Sequence, residues 1–368
     1  MGADAGASAS GNAKGKSEAG ADAGAGFRAK YKGEITGKSE GSTTAVTTRY
    51  KAGGDINSAS QEKTTLIGTQ MEAKGNVNLE AGSLEYKAAK DTTNKGGTSH
   101  EIDAKLKIDV VGSKGGSLEA SYQGSQESEK TSTARTGSIN AGGNLNIKTK
   151  GDASFEGTQL ESGGDASIKS GGTVDFKAAR DTAESSSKSG GVSLEVSGSK
   201  KSKGGSLEAE YAQGDSASSK AQTASVKSGG KLDVSAGKDA NFEGTELKSK
   251  GDATIEAGGN VNLKAAKDTE TSTSFHVEGS VSGEKSKKDG SSGGGAISGG
   301  VEHTDKVESK GTSVVSEGKV SIKGNTVVNQ EADIKGQEGT QVKGNLVRQQ
   351  AENRDNAFGV EAGFSGGE

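Results

Sequence analysis

The stretch FEGTQLESGGDASIKSGGTVDFKAARDT, Phe155 to Thr182, returns as FEGTELKSKGDATIEAGGNVNLKAAKDT from Phe242 to Thr269. A looser copy, LIGTQMEAKGNVNLEAGSLEYKAAKDT, runs from Leu66 to Thr92. Apolar residues alternate within the block: Ala166 and Ile168, then Val174, Phe176 and Ala178. A period of two marks strands with one buried face. The Gly-Gly and Gly-Asp or Gly-Asn pairs between the runs are turn signals, since glycine accepts positive φ without steric cost. Strand, turn and strand repeat about every 20 residues: GGNLNIKTKGDASFEGTQLES (Gly142 to Ser162) is followed by GGDASIKSGGTVDFKAARDT (Gly163 to Thr182). This pattern predicts an all-β fold, a right-handed parallel β-helix (solenoid) with ~20-residue rungs.

A longer period lies over the short one. Asp91, Asp181 and Asp268 of the A-A-x-D-T motif recur at intervals of 90 and 87 residues, and GGSLEASY (Gly115 to Tyr122) returns as GGSLEAEY 89 residues on. Periods of this kind indicate a repeat architecture. They divide the chain into a partial unit at 1–52, repeat units at 53–141, 142–228 and 229–317, and a degenerate partial unit at 318–368. Equivalent positions stay apolar: Tyr86, Phe176 and Leu263; Met71, Leu160 and Leu247; Leu79, Ile168 and Ile255. Between the copies lie Ser- and Lys-rich segments that also alternate, such as Val192, Leu194, Val196 and then Leu207, Ala209, Tyr211 around the polar loop SGSKKSKGG. Two alternating runs around such a loop read as a protruding β-hairpin. Its twin runs from Ile102 to Tyr122, and a glycine-richer third, FHVEGSVSGEKSKKDGSSGGGAISGGVEH, is expected to be more mobile.

Composition fits a narrow solenoid core. Apolar residues are 28% of the 368, aromatics 3%, and proline, cysteine and tryptophan are absent. Low hydrophobicity with 26% charge would ordinarily indicate disorder. The lack of proline and the regular apolar spacing oppose that. A net charge of −4 from interspersed signs implies neither nucleic acid nor an anionic membrane as partner. The absence of cysteine removes thiol catalysis and disulfides. No apolar run reaches a membrane-span length, and the first residues carry no apolar signal core, so any export signal is expected outside this sequence.

The Gly-Gly-Asp/Asn-x-x-Ile/Leu rungs, the AAKDT and AARDT motifs and the following TAESSSKSGGVSLEVSGS resemble the haemagglutinin repeats of filamentous haemagglutinin-type exoproteins. These are the adhesins and contact-dependent inhibition proteins of two-partner secretion systems. The resemblance covers most of Gly53 to Asp268. It implies a secreted or cell-surface β-helical segment, an outer-membrane transporter as export partner, and a cell-surface receptor or glycan as ligand. It implies attachment to cells, or alternatively the presentation of a toxin to a neighbouring cell. The family's secretion and toxin domains are not seen in these residues.

No enzyme is predicted, and no catalytic, cofactor or metal residues. The repeated Asp91, Asp181 and Asp268 read as turn caps acting through the side chain. His100, His276 and His303 lie in the variable segments without metal-ligand spacing. The GNAKGKS run around Lys16 lacks the glycine a phosphate loop needs, since Ser10 stands in its place. Gly53 to Asp55 and Gly163 to Asp165 lack the second glycine of calcium-binding nonapeptides. A polysaccharide-active β-helix would require carboxylates clustered on adjacent rungs, which register alone decides.

Overall fold

The computed structural model describes residues 3–22, 26–109 and 114–367, and every regular element among them is a strand. Short strands of four or five residues form the rungs of a parallel solenoid. One rung is Ser138–Ala141, Leu145–Thr149 and Ala153–Glu156; the next is Gln159–Ser162, Ala166–Ser170 and Val174–Lys177. Each strand pairs in parallel with its equivalent above, so Ile139 lies over Leu160, Ile147 over Ile168 and Phe155 over Phe176. Partners are 19 to 21 residues apart within a rung pair and 66 to 69 apart where a hairpin intervenes. The first sides of the rungs stack into an eight-stranded sheet. The other two sides belong to a 14-stranded sheet, joined because Lys319–Gln330 runs through both with an irregularity between Lys323 and Thr326.

The alternation in sequence is what fills this core. Every second side chain of a rung strand points inward and meets its equivalent one rung away. The column Met71, Ile139, Leu160, Val226, Leu247 is continuous. So is Leu79, Ile147, Ile168, Val234, Ile255. The third runs Tyr86, Phe155, Phe176, Phe242, Leu263, with stacked rings 4.7 Å apart between Phe155 and Phe176 and 5.5 Å between Phe176 and Phe242. Sequence-matched residues such as Tyr86 and Phe176 therefore share a column without touching, because Phe155 sits between them. The Tyr86 hydroxyl donates to the backbone carbonyls of Thr69 and Ser138, and burial pushes its phenol above the usual tyrosine range.

The Gly-Gly-Asp/Asn corners are tied from rung to rung. The Asn144 amide donates to Asn76 Oδ1 at 2.8 Å, the Asp165 amide to Asn144 Oδ1 at 2.9 Å, and the Lys231 amide to Asp165 Oδ1 at 2.7 Å. The turn carboxylates and amides thus satisfy backbone donors that a tight corner would leave unpaired. No buried side-chain polar atom among the described residues lacks a partner.

Nine longer strands form a separate antiparallel sheet: β1 (Ala3–Asp22), β2 (Gly26–Ala45), β3 (Ala89–Asp109), β4 (Gly116–Arg135), β5 (Ala179–Gly198), β6 (Ser202–Gln222), β7 (Ala266–Ser286), β8 (Gly290–Lys310) and β9 (Arg354–Gly367). They follow one another in the sheet in chain order. The expected hairpin around SGSKKSKGG is β5–β6, and its twin is β3–β4, whose tip at 110–113 lies outside the described residues. The glycine-rich third is β7–β8, paired along its full length.

The hairpins do not stand alone, because consecutive ones also pair with each other: β2 with β3, β4 with β5, β6 with β7. A spacing argument explains why. Stacked rungs and paired strands share the same interval of about 4.8 Å. Two rungs advance the solenoid by the width of two strands, and each pair of rungs issues one hairpin of two strands. Solenoid and sheet therefore grow in step, and the sheet stays continuous without strain.

Candidate binding surface

The A-A-x-D-T motif is the root from which each hairpin leaves the solenoid. Its second alanine is buried: Ala89, Ala179 and Ala266 are 6%, 0% and 0% exposed. Ala179 packs with Ala88 and Ala134, and Ala266 with Ala178 and Ala221. Each also faces a glycine of the preceding rung junction, Gly68, Gly157 or Gly244, all at φ of 55° to 61°. A Cβ built on Gly157 would stand 2.7 Å from the Cβ of Ala179, so two small residues are needed where the chain passes its own hairpin.

The aspartate of the motif acts differently from the expected turn cap. Asp181 Oδ1 accepts the Ala134 amide of the preceding hairpin at 2.7 Å, while its Oδ2 accepts the Gln222 side-chain amide of its own hairpin at 2.6 Å. Asp91 likewise takes the Ala45 amide at 2.8 Å and Arg135 at 2.7 Å. Asp268 takes the Ala221 amide at 2.7 Å and Lys310 at 2.7 Å. Each aspartate bolts three strands of the long sheet together at the root. The turn-cap expectation is thereby corrected: the partners lie 41 to 47 residues away, beyond the reach of a sequence pattern read locally.

The Ala45 amide and then the Arg135 guanidinium hold the Asp91 carboxyl below its ordinary range. For Asp268, burial pushes the carboxyl up, but Lys310 and the Ala221 amide outweigh it and the result is a lowered value. A depressed folded pKa contributes stability that is present above the unfolded value of about 3.9 and lost as pH falls through the folded value. The hairpin roots are therefore expected to loosen below about pH 4. Hydrogen exchange of the Ala45 and Ala221 amides, corrected for the intrinsic pH dependence, reads this directly. Protection that persists unchanged at pH 2 would contradict it.

Beyond the roots, the long sheet has two unlike faces. Residues opposite one another in register share a face. One row is Tyr31, Ala104, Ala120, Leu194, Leu207 and Val281. The next is Ile102, Tyr122, Val192, Ala209, Gly279 and Ile297. Every exposed large apolar side chain of the sheet among the described residues falls on this one face, including Phe27, Tyr211, Phe275, Val360 and Phe364. The opposite face carries Lys30, Lys32, Glu101, Lys105, Glu119 and Glu195. There, Lys32 pairs with Glu101 at 2.5 Å and Lys105 with Glu119 at 3.3 Å.

Glycine rows cut the apolar face into ridges and troughs. Gly124 and Gly190 are register partners, and a groove of about 610 Å³ opens over them, walled by His100, Tyr122, Val192 and Tyr211. His100 stacks on Tyr122 and its Nδ1 is 2.8 Å from the Tyr122 hydroxyl. On the charged face a smaller groove of about 410 Å³ is lined by Glu208, Glu210 and Glu278 among others.

The three histidines are on three separate strands, with His276 on the charged face and His100 and His303 on the apolar one. Among the described residues no group of three or more histidine, aspartate or glutamate side chains is placed to hold a metal ion. Lys16 lies within β1, paired with Glu18 at 2.5 Å. Of the rejected glycine motifs, Gly163 to Asp165 is a rung corner of the kind described above. No helix among the described residues is long and apolar enough to cross a membrane.

Two-rung units, each issuing one hairpin into a shared sheet, define a solenoid-class repeat protein. The chain belongs to the hemagglutinin repeat family, whose model matches residues 29–192 and 182–279. It is 30% identical over 272 residues to a protein named Hemolysin from Serratia marcescens, covering 66% of this chain and 17% of that protein. It is 25% identical over 289 residues to a Hemolysin from Proteus mirabilis, covering 73% of this chain and 18% of that protein. The chain thus spans less than a fifth of the length of these curated relatives. No solved structure matches it. The expected resemblance to haemagglutinin repeats and the expected all-β parallel solenoid are both borne out.

Proposed function

We propose that this chain is an adhesive segment of a secreted or surface-displayed exoprotein, exported by an outer-membrane transporter of the two-partner secretion type. The solenoid serves as the ruler and the hairpin sheet as the contact surface. One observation carries the reading: a continuous, exposed face on which aromatic and aliphatic rows repeat with each unit. Weak contacts repeated along a rigid array add up by multivalency. Family membership supports an exoprotein origin, and the ligand class that fits is a cell-surface receptor or glycan. The reading assigns no catalytic, cofactor or metal residues, and we take the repeat unit to be 142–228 and its equivalents.

A second reading, a passive stalk that presents a toxin in contact-dependent inhibition, is favoured by the solenoid's regularity alone. Removing residues 142–228 separates the two, because Ala141 then joins Gly229, the equivalent of Gly142, and the rungs stay in phase. An adhesive face is expected to lose at least about tenfold in cell-binding avidity with one unit gone. Unchanged avidity in a still-folded variant would favour the stalk.

A further inference from the structure

We propose that the hairpin tips form a basic row that binds a sulfated polysaccharide lying along the outer edge of the sheet. Strands β5, β6 and β7 are 20 or 21 residues long, so at about 3.3 Å per residue the tips stand about 65 Å from the solenoid. Exposed charges are screened within about 8 Å at physiological ionic strength. The chain's net charge of −4 therefore does not govern what the tips attract.

The β5–β6 tip carries Lys200, Lys201 and Lys203, and the β7–β8 tip carries Lys285, Lys287 and Lys288, all exposed. Against these six stand two acids, Glu284 and Asp289. The Lys287 amide donates to the Lys201 carbonyl at 3.0 Å, and Lys203 is the register partner of Lys285, so the two tips adjoin. On the other side Gly116 pairs with Gly198, which brings Lys114 of the β3–β4 connection into the row. Successive tips are two strands, about 10 Å, apart. On the charged face lysines are matched by acids, Lys32 by Glu101, Lys105 by Glu119 and Lys306 by Glu308. The six tip lysines make no ion pair among the described residues.

Shape and composition select the ligand. The row is a line one sheet thick, renewed with each hairpin, so a linear polyanion can follow it from tip to tip and add contacts by multivalency. The turns themselves, Ser199 to Ser202 and Lys287 to Gly290, hold no aromatic or apolar residue. A nucleic-acid base would have nothing to stack on. A bilayer interface would find no apolar anchor beside the lysines. A polysaccharide that carries its charge on sulfate groups needs neither. The site lies beyond the apolar rows and does not depend on their contact with the cell.

Binding of the full 368-residue chain to immobilised dextran sulfate over a range of salt concentrations tests this. The intact chain is expected to bind it and not unsulfated dextran, with an affinity that falls steeply as salt rises, because binding releases counterions from the polyanion. The triple variant Lys200→Ser, Lys201→Ser, Lys203→Ser is expected to bind at least about tenfold more weakly at low salt, with a flatter salt dependence. The same is expected of Lys285→Ser, Lys287→Ser, Lys288→Ser, a second variant that keeps the test readable if the first misfolds. Lys148→Ser, Lys248→Ser, Lys264→Ser, at exposed positions of the solenoid, makes the same change in net charge and is expected to leave binding unchanged. Circular dichroism checks each fold. Folded tip variants that bind as well as the intact chain would overturn the proposal. So would an equal loss in the solenoid variant, or equal binding to unsulfated dextran. An intact chain that floats with phosphatidylglycerol-containing vesicles and does not bind dextran sulfate would also overturn it, and would assign the tips to lipid headgroups instead.

Discussion

Replacing Phe176 with alanine is expected to destabilise the solenoid by about 3–5 kcal/mol, the largest loss for any single side chain of the repeat block. Phe176 is 1% exposed and lies in the middle of the ring column, stacked on Phe155 below and Phe242 above. Truncation removes the ring's own burial and leaves a cavity that the neighbouring rungs cannot close. Their spacing is fixed by backbone pairing on both sides, through Val174 to Ala153 and Ala240. In a solenoid each rung is supported only by its neighbours. The gap therefore weakens the contact between two halves of the array, and unfolding is expected to split into two transitions. Urea denaturation followed by far-ultraviolet circular dichroism measures both effects. Phe364→Ala is the matched comparison: that ring is 77% exposed, and its loss is expected to cost no more than about 0.5 kcal/mol. Similar losses at Phe176 and Phe364 would mean that the ring column does not carry the core.

The rungs were legible in the sequence because a solenoid converts local order into tertiary order. Alternation at Leu145 and Ile147 fixes which side chains face inward, and repetition 21 residues later fixes what they meet. The hairpins were legible for the same reason, from Val192 to Val196 and Leu207 to Tyr211 around a polar loop. Their union into one sheet was not. It depends on the equality of rung and strand spacing, a geometric fact that no single segment carries. The countable signal was present, since each hairpin follows two rungs.

The role of the motif aspartates was misread because Asp-Thr after a strand matches local turn chemistry. The real partners of Asp181, at Ala134 and Gln222, become neighbours only once the hairpins are side by side. The apolar face was likewise hidden. Tyr31, Leu194 and Val281 each look like an ordinary alternating residue, and only register places them in one row. The repeated block is therefore scaffold, and the segments between its copies form the surface.

The division of labour between scaffold and surface yields the second large effect. Within a rung pair, Glu156 passes to Gln159 through Gly157 and Thr158; at the equivalent place one rung later, Lys177 passes to Ser225 through the whole hairpin. Replacing Ala178 to Ala224 by Gly-Thr converts the second junction into the first. The rungs keep their phase, since Leu160 already pairs with Val226 and Phe176 with Phe242. The sheet, in contrast, loses β5 and β6 from its centre and is left with a gap of about 10 Å between β4 and β7. Binding of this variant to cells, measured beside the intact chain with the fold checked by circular dichroism, is the most direct test. A folded solenoid with cell binding reduced at least about tenfold is the predicted result. A folded solenoid that binds cells as well as the intact chain would contradict the assignment of contact to the hairpin sheet.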